Sequence, residues 1–85
     1  MKRPMLFISS LSQSQIDHLK SLLDYEHSKV FSKITQYTQV FTYSDGTLGI
    51  TGTPNVYPEE EIVCANYNEF LTCWSEYNLW LLLET

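Results

Sequence analysis

The chain has 85 residues, 44% of them hydrophobic and 14% aromatic, with a formal net charge of −5. That length makes one domain, and that apolar content supports a real core, which excludes a disordered chain. The acidic balance weighs against direct binding of nucleic acid or an anionic membrane, and no apolar run approaches the ~20 residues of a membrane span.

Met1-Lys2-Arg3-Pro4 followed by Met5-Leu6-Phe7-Ile8 superficially resembles the start of a signal peptide. The apolar run ends at Ser9-Ser10, too short for a signal core, so a cytoplasmic protein is expected. Residues 4 to 9 read instead as a first strand, and the unbroken run Met5 to Ile8 suits a strand covered on both faces.

A helix follows. Ser12 is a good N-cap, and Gln15, three positions on, can close a capping box. Ile16, Leu19, Leu22, Leu23, Val30 and Ile34 recur near helical spacing, and the helix is expected to end between Glu26 and Ile34. Next, Val40-Phe41-Thr42-Tyr43 and Leu48-Gly49-Ile50-Thr51 flank Ser44-Asp45-Gly46-Thr47. Asp-Gly at the centre is the signal of a two-residue type I′ hairpin. Counting outward, Tyr43 would pair with Leu48 and Phe41 with Ile50, all on one buried face. Gly49 is expected to mark a bulge or the close approach of another backbone.

Pro54, Asn55 and Pro58 make residues 52 to 61 a loop. Ile62 to Ala65 reads as a short strand, and Asn66 or Asn68 can cap a second helix with the stripe Phe70, Leu71, Trp74 and Tyr77. Asn78 is a plausible stop, and Leu79-Trp80-Leu81-Leu82-Leu83 then reads as a last, buried strand. The order is therefore β-α-β-β-(β)-α-β. It describes one acidic α+β domain over residues 1–85, a mainly antiparallel sheet with two helices on one face, compatible with a ferredoxin-like sandwich.

No chemistry of a catalytic or metal site stands out. His18 and His27 are nine apart, as are Cys64 and Cys73, and neither spacing matches the tight pairs of structural zinc sites. The cysteines are expected to be reduced, buried apolar groups. No serine sits in a G-x-S-x-G elbow, and Gly46, Gly49 and Gly52 lie in a hairpin rather than between a strand and a helix, as a phosphate loop requires. The expectation is no catalytic residue, no metal and no cofactor. Aromatics such as Tyr43 would suit a base-stacking sheet, but no basic-aromatic motif accompanies them.

Charge distribution says more. Residues 1 to 33 hold all five cations, Lys2, Arg3, Lys20, Lys29 and Lys33, against Asp17, Asp24 and Glu26. Residues 34 to 85 hold seven carboxylates and no cation. Such a surface repels phosphate and attracts basic protein. The expected contacts are Glu59, Glu60, Glu61, Glu69 and Glu76, with Tyr57 and Tyr67 as aromatic anchors; for Glu59 to Glu61 a merely solvated loop is the blander alternative. The expected function is a small inhibitor or adaptor of the phage or mobile-element type. It would cover the basic groove of a host defence enzyme, a toxin nuclease or another nucleic-acid-binding protein, with carboxylates standing in for phosphates. Small phage-encoded inhibitors share this size and charge, a likeness of type that no motif carries. The alternative is a homo-oligomer, such as a homodimer that covers the apolar strand expected at Leu79 to Leu83.

Overall fold

A computed structural model describes residues 1–23, 39–52 and 55–84. Its centre is a four-stranded sheet in the order β3-β2-β1-β4, built from β1 (Arg3–Phe7), β2 (Gln39–Thr42), β3 (Leu48–Thr51) and β4 (Glu61–Val63). Helices α1 (Gln13–Leu22) and α2 (Tyr67–Glu84) pack on one face. The class is the expected one, an α+β domain with two helices on one side of a mainly antiparallel sheet.

β1 sits inside the sheet, antiparallel to β2 and parallel to β4. Its apolar run is covered on both sides, with Met5 and Leu6 almost wholly buried on opposite faces. Pro4 has no N–H to give the ladder, but its carbonyl accepts the hydroxyl of buried Thr42 at 2.9 Å. Leu6, Val40, Leu48 and Ile50 point to the helix side and meet Leu19, Leu23, Tyr67 and Phe70. Register and the two-residue period put Arg3, Met5, Gln39, Phe41 and Glu61 on the other side.

After a single 3-10 turn (Ile8–Ser10), Ser12 caps α1 as expected. Ser12 Oγ accepts Gln15 N–H at 3.3 Å, and Gln15 Oε1 accepts Ser12 N–H at 2.9 Å. α1 stops at Leu22, earlier than its spacing predicts, because Leu23 is extended at φ −81°, ψ 153°. The rest of the expected helix lies outside the described residues.

The hairpin corrects the expected register by one residue. Thr42 pairs with Leu48, Phe41 with Gly49 and Val40 with Ile50. Tyr43 N–H reaches Thr47 O at 2.8 Å and Gly46 N–H reaches Tyr43 O at 2.9 Å, so the loop is Ser44-Asp45-Gly46. Only Gly46 takes positive φ, +89°, whereas a type I′ turn needs it at Asp45 as well. Asp45 instead uses its carboxylate locally, accepting Thr47 Oγ1–H at 2.6 Å and Thr47 N–H at 3.0 Å. Those bonds, the side-chain one foremost, hold its carboxyl below the usual carboxylate range. The extra residue exchanges the faces, so Leu48 and Ile50 enter the core with Val40 and Thr42, not with Tyr43 and Phe41. Gly49 is no bulge. A Cβ there would lie 2.7 Å from Tyr43 Cε2 and 2.8 Å from Phe41 Cζ, so two rings cover the space its missing side chain leaves.

The second correction is at the C-terminal end. No strand forms at 79–83; α2 runs on through Glu84. Leu79-Trp80-Leu81-Leu82-Leu83 contains no β-branched residue, and leucine is a strong helix former. Asn78 is not a stop but a clamp inside the helix. Its Nδ2 donates to Gly46 O at 3.2 Å and to Trp74 O at 3.0 Å. Trp74 Nε1 donates to the same Gly46 O at 2.8 Å and Tyr77 OH to Ser44 O at 3.0 Å, so three side chains of α2 hold the hairpin tip.

Candidate functional site

The seven expected contact residues fall in three places. Tyr57 to Glu60 form a tight turn before β4, in which Tyr57 O accepts the N–H groups of Glu60 at 2.9 Å and Glu61 at 2.8 Å. Tyr57, Glu59 and Glu60 are exposed there. Glu60 pairs with Arg3 at 3.2 Å across the β1–β4 edge, where Arg3 N–H also donates to Glu60 O at 2.8 Å.

Glu61 differs from its two neighbours. It is the first residue of β4, lies beside Arg3 in the register and faces the helix-free side of the sheet. Only 7% of it is exposed, and its Oε1 accepts Tyr57 N–H at 3.1 Å. It lines a cavity of about 220 Å³ together with Gln39, Phe41, Thr51, Asn55 and Tyr57. The walls are tied down. The buried Gln39 amide clasps the Asn55 backbone at both ends, giving Nε2–H to Asn55 O at 2.9 Å and taking Asn55 N–H at 3.0 Å. Asn55 Nδ2 donates to Tyr57 OH at 2.6 Å, and Phe41 meets Tyr43 edge-on at 4.9 Å between ring centroids.

The third place is α2. Asn66 caps it, accepting Glu69 N–H at 2.9 Å, while Glu69 Oε2 accepts Ala65 N–H at 3.1 Å. Glu69 thus carries charge to the positive end of the helix dipole. Tyr67 is no surface anchor: it is 5% exposed, stacks on Phe70 and shares a 2.6 Å hydrogen bond between its OH and His18 Nδ1. Burial raises its pKa. Glu76 is exposed, seven residues after Glu69, so both share the outer stripe of the helix with Leu83, another seven on. Leu79, Leu82 and Leu83 are exposed as well, at 56%, 75% and 76%, and α2 has no cation in its last turn.

Cys64 and Cys73 are free thiols, the first buried and the second partly so. Burial pushes the Cys64 thiol up to about 12, helped by Cys73 and Glu69 nearby. Among the described residues no three His, Cys, Asp or Glu side chains cluster so as to hold a metal, and no helix is long and apolar enough to cross a membrane. His27 lies outside the described residues.

Sequence reasoning missed Gln39, Phe41 and Asn55 as parts of one site. The signal was present in the parity of β2, which sets Gln39 and Phe41 on the face opposite Val40. Reading it required the correct hairpin register. No protein-family model matches the chain, and neither curated proteins nor solved structures give a match.

Proposed function

We propose that the protein is a small non-catalytic acidic module that binds a basic protein. On this reading it is an inhibitor of the phage or mobile-element type that covers the nucleic-acid groove of a nuclease, defence enzyme or toxin. One observation supports it. Of the carboxylates after residue 33, Asp45, Glu59, Glu60, Glu69, Glu76 and Glu84 are all exposed, and among the described residues only Glu60 has a cation beside it. A surface of that sign, presented on a turn and a helix, accelerates encounter with a basic groove and disfavours nucleic acid itself.

The first test is a tagged pull-down from bacterial lysate with washes at rising salt. Recovery of a basic nucleic-acid-binding protein that salt releases supports the reading. Charge reversal at Glu59 and Glu76 together should then slow association. Association kinetics indifferent to salt between about 50 and 500 mM would reject the electrostatic role.

A second reading, self-association, is favoured by the three exposed leucines of α2. The strand edge that first suggested it does not exist, but an apolar helix stripe serves the same purpose. A light-scattering mass of one chain at micromolar concentration would remove it.

A further inference from the structure

We propose that the pocket walled by Phe41 and Tyr57, with Glu61 at its base, is a guanidinium site. It would take an arginine side chain of the basic partner. The pocket chemistry stands alone; the source of the arginine rests on the proposed function.

Glu61 carries the argument. The residue as a whole is more than nine-tenths buried, yet among the described residues no cation touches its carboxylate. The adjacent Arg3 gives its guanidinium to Glu60 instead. One Glu61 oxygen is occupied by Tyr57 N–H; the other takes no hydrogen bond from a described residue and keeps some access to solvent, since no fully buried side-chain oxygen among the described residues lacks a partner. A sheltered carboxylate with no cation of its own and one oxygen free to accept gains a charge-assisted hydrogen bond from an entering cation. The cavity beside it, about 220 Å³, falls below the size of pockets for drug-like ligands and suits a single side chain.

The walls choose the kind of cation. Two aromatic side chains line the same cavity as the carboxylate, and a guanidinium can stack its flat face on a ring while its edge donates to an oxygen. An ammonium is a compact, strongly hydrated point charge that gains less from such walls. The Gln39–Asn55 clasp and the Asn55–Tyr57 bond set the ring of Tyr57 before any ligand arrives, which lowers the ordering cost of binding.

The test is a titration of the isotope-labelled protein with butylguanidine, followed by amide chemical shifts, with pentylamine as the matched ammonium. Saturable shifts centred on Gln39, Phe41, Asn55, Tyr57 and Glu61 are expected, with pentylamine binding at least about threefold more weakly. Glu61→Gln keeps an acceptor for Tyr57 N–H but removes the charge, and should weaken binding about tenfold or more. Tyr57→Leu, at an exposed position, should weaken it severalfold and serves if Glu61→Gln fails to fold. Absence of saturable shifts overturns the proposal. So do shifts spread over Glu69, Glu76 and Glu84, or wild-type affinity in the variant that folds.

A blocked Gly-Arg-Gly peptide separates the sources. Tighter binding than butylguanidine supports a protein arginine, whereas weaker binding supports a free guanidino compound in the same site. If the pocket binds the probe but the pull-down recovers no basic protein, the proposed function fails and the pocket stands. If a partner is recovered and the probe does not bind, the pocket fails and the function stands.

Discussion

Replacing Gly46 by alanine tests how the hairpin tip is held. Gly46 has φ +89°, which costs a side-chain-bearing residue roughly 1–3 kcal/mol. The new Cβ would also collide with the Asn78 side chain, which must move and give up its bond to Gly46 O, a further ~0.5–1.5 kcal/mol. The expected loss is about 2–4 kcal/mol. At ~0.05–0.15 kcal/mol per residue an 85-residue domain has about 4–13 kcal/mol in all, so the loss is a large share. Urea unfolding followed by tryptophan fluorescence measures it, with a midpoint shift on the order of 1–3 M. Asn78→Ala makes room, so Gly46→Ala in that background should cost only its backbone share. The two substitutions should therefore be sub-additive by about 1 kcal/mol. A loss below ~1 kcal/mol for Gly46→Ala alone, or additivity within ~0.5 kcal/mol, would refute the clamp.

Other consequences are equally direct. Thr42→Val leaves the Pro4 carbonyl without its buried donor and should destabilise by about 1 kcal/mol; a calorimetric change below ~0.3 kcal/mol would count against that bond. Cys73 should react with iodoacetamide at pH ~8 at least tenfold faster than Cys64, because Cys64 is buried and its thiolate is scarce; mass mapping of the labelled chain decides it. The native Cys64 pKa of about 12 lies above its ordinary value of 9.0, so its contribution is whole below pH 9 and is lost as pH rises from 9 toward 12. Stability measured across that window should fall less steeply in Cys64→Ala than in the parent. Leu83→Lys, at a position 76% exposed, should change the stability of a monomer by no more than ~0.5 kcal/mol, and a larger loss would indicate that the leucine is covered by a second copy.

Local signals in the sequence located most of the fold. The Ser12–Gln15 capping box, the doubly covered run at Met5-Leu6 and the Phe70-Trp74-Tyr77 stripe each act over a few residues, and each is where its pattern points. The hairpin register and the C-terminal strand, the largest misses, turn on contacts from far along the chain. Asp45-Gly46 is compatible with a two-residue or a three-residue loop, and Trp74, Tyr77 and Asn78, some 30 residues away, all bond to the longer one. The same contacts explain why Asn78 does not end α2. A residue suited to a left-handed stop is held inside the helix by two hydrogen bonds, and the leucines beyond it follow their own helical preference.

The candidate site was legible only in part, and Glu59-Glu60-Glu61 shows why. As sequence the three are alike, a charge run on a loop. β4 begins at Glu61, and from that point the alternation of a strand decides where each carboxylate goes. Glu59 stays in solvent, Glu60 meets Arg3 across the edge, and Glu61 turns to the helix-free face beside Phe41 and Tyr57. Charge reversal of the whole run would therefore mix three effects. At Glu61 it would set a cation against the Tyr57 N–H in a buried position, so a loss of binding there could reflect unfolding alone. Glu59→Lys changes the outer field without touching a described hydrogen bond, and Glu61→Gln changes the pocket without changing its shape. A partner that responds to the first through its association rate and to the second through its dissociation rate would be using steering and anchoring from adjacent residues for different purposes.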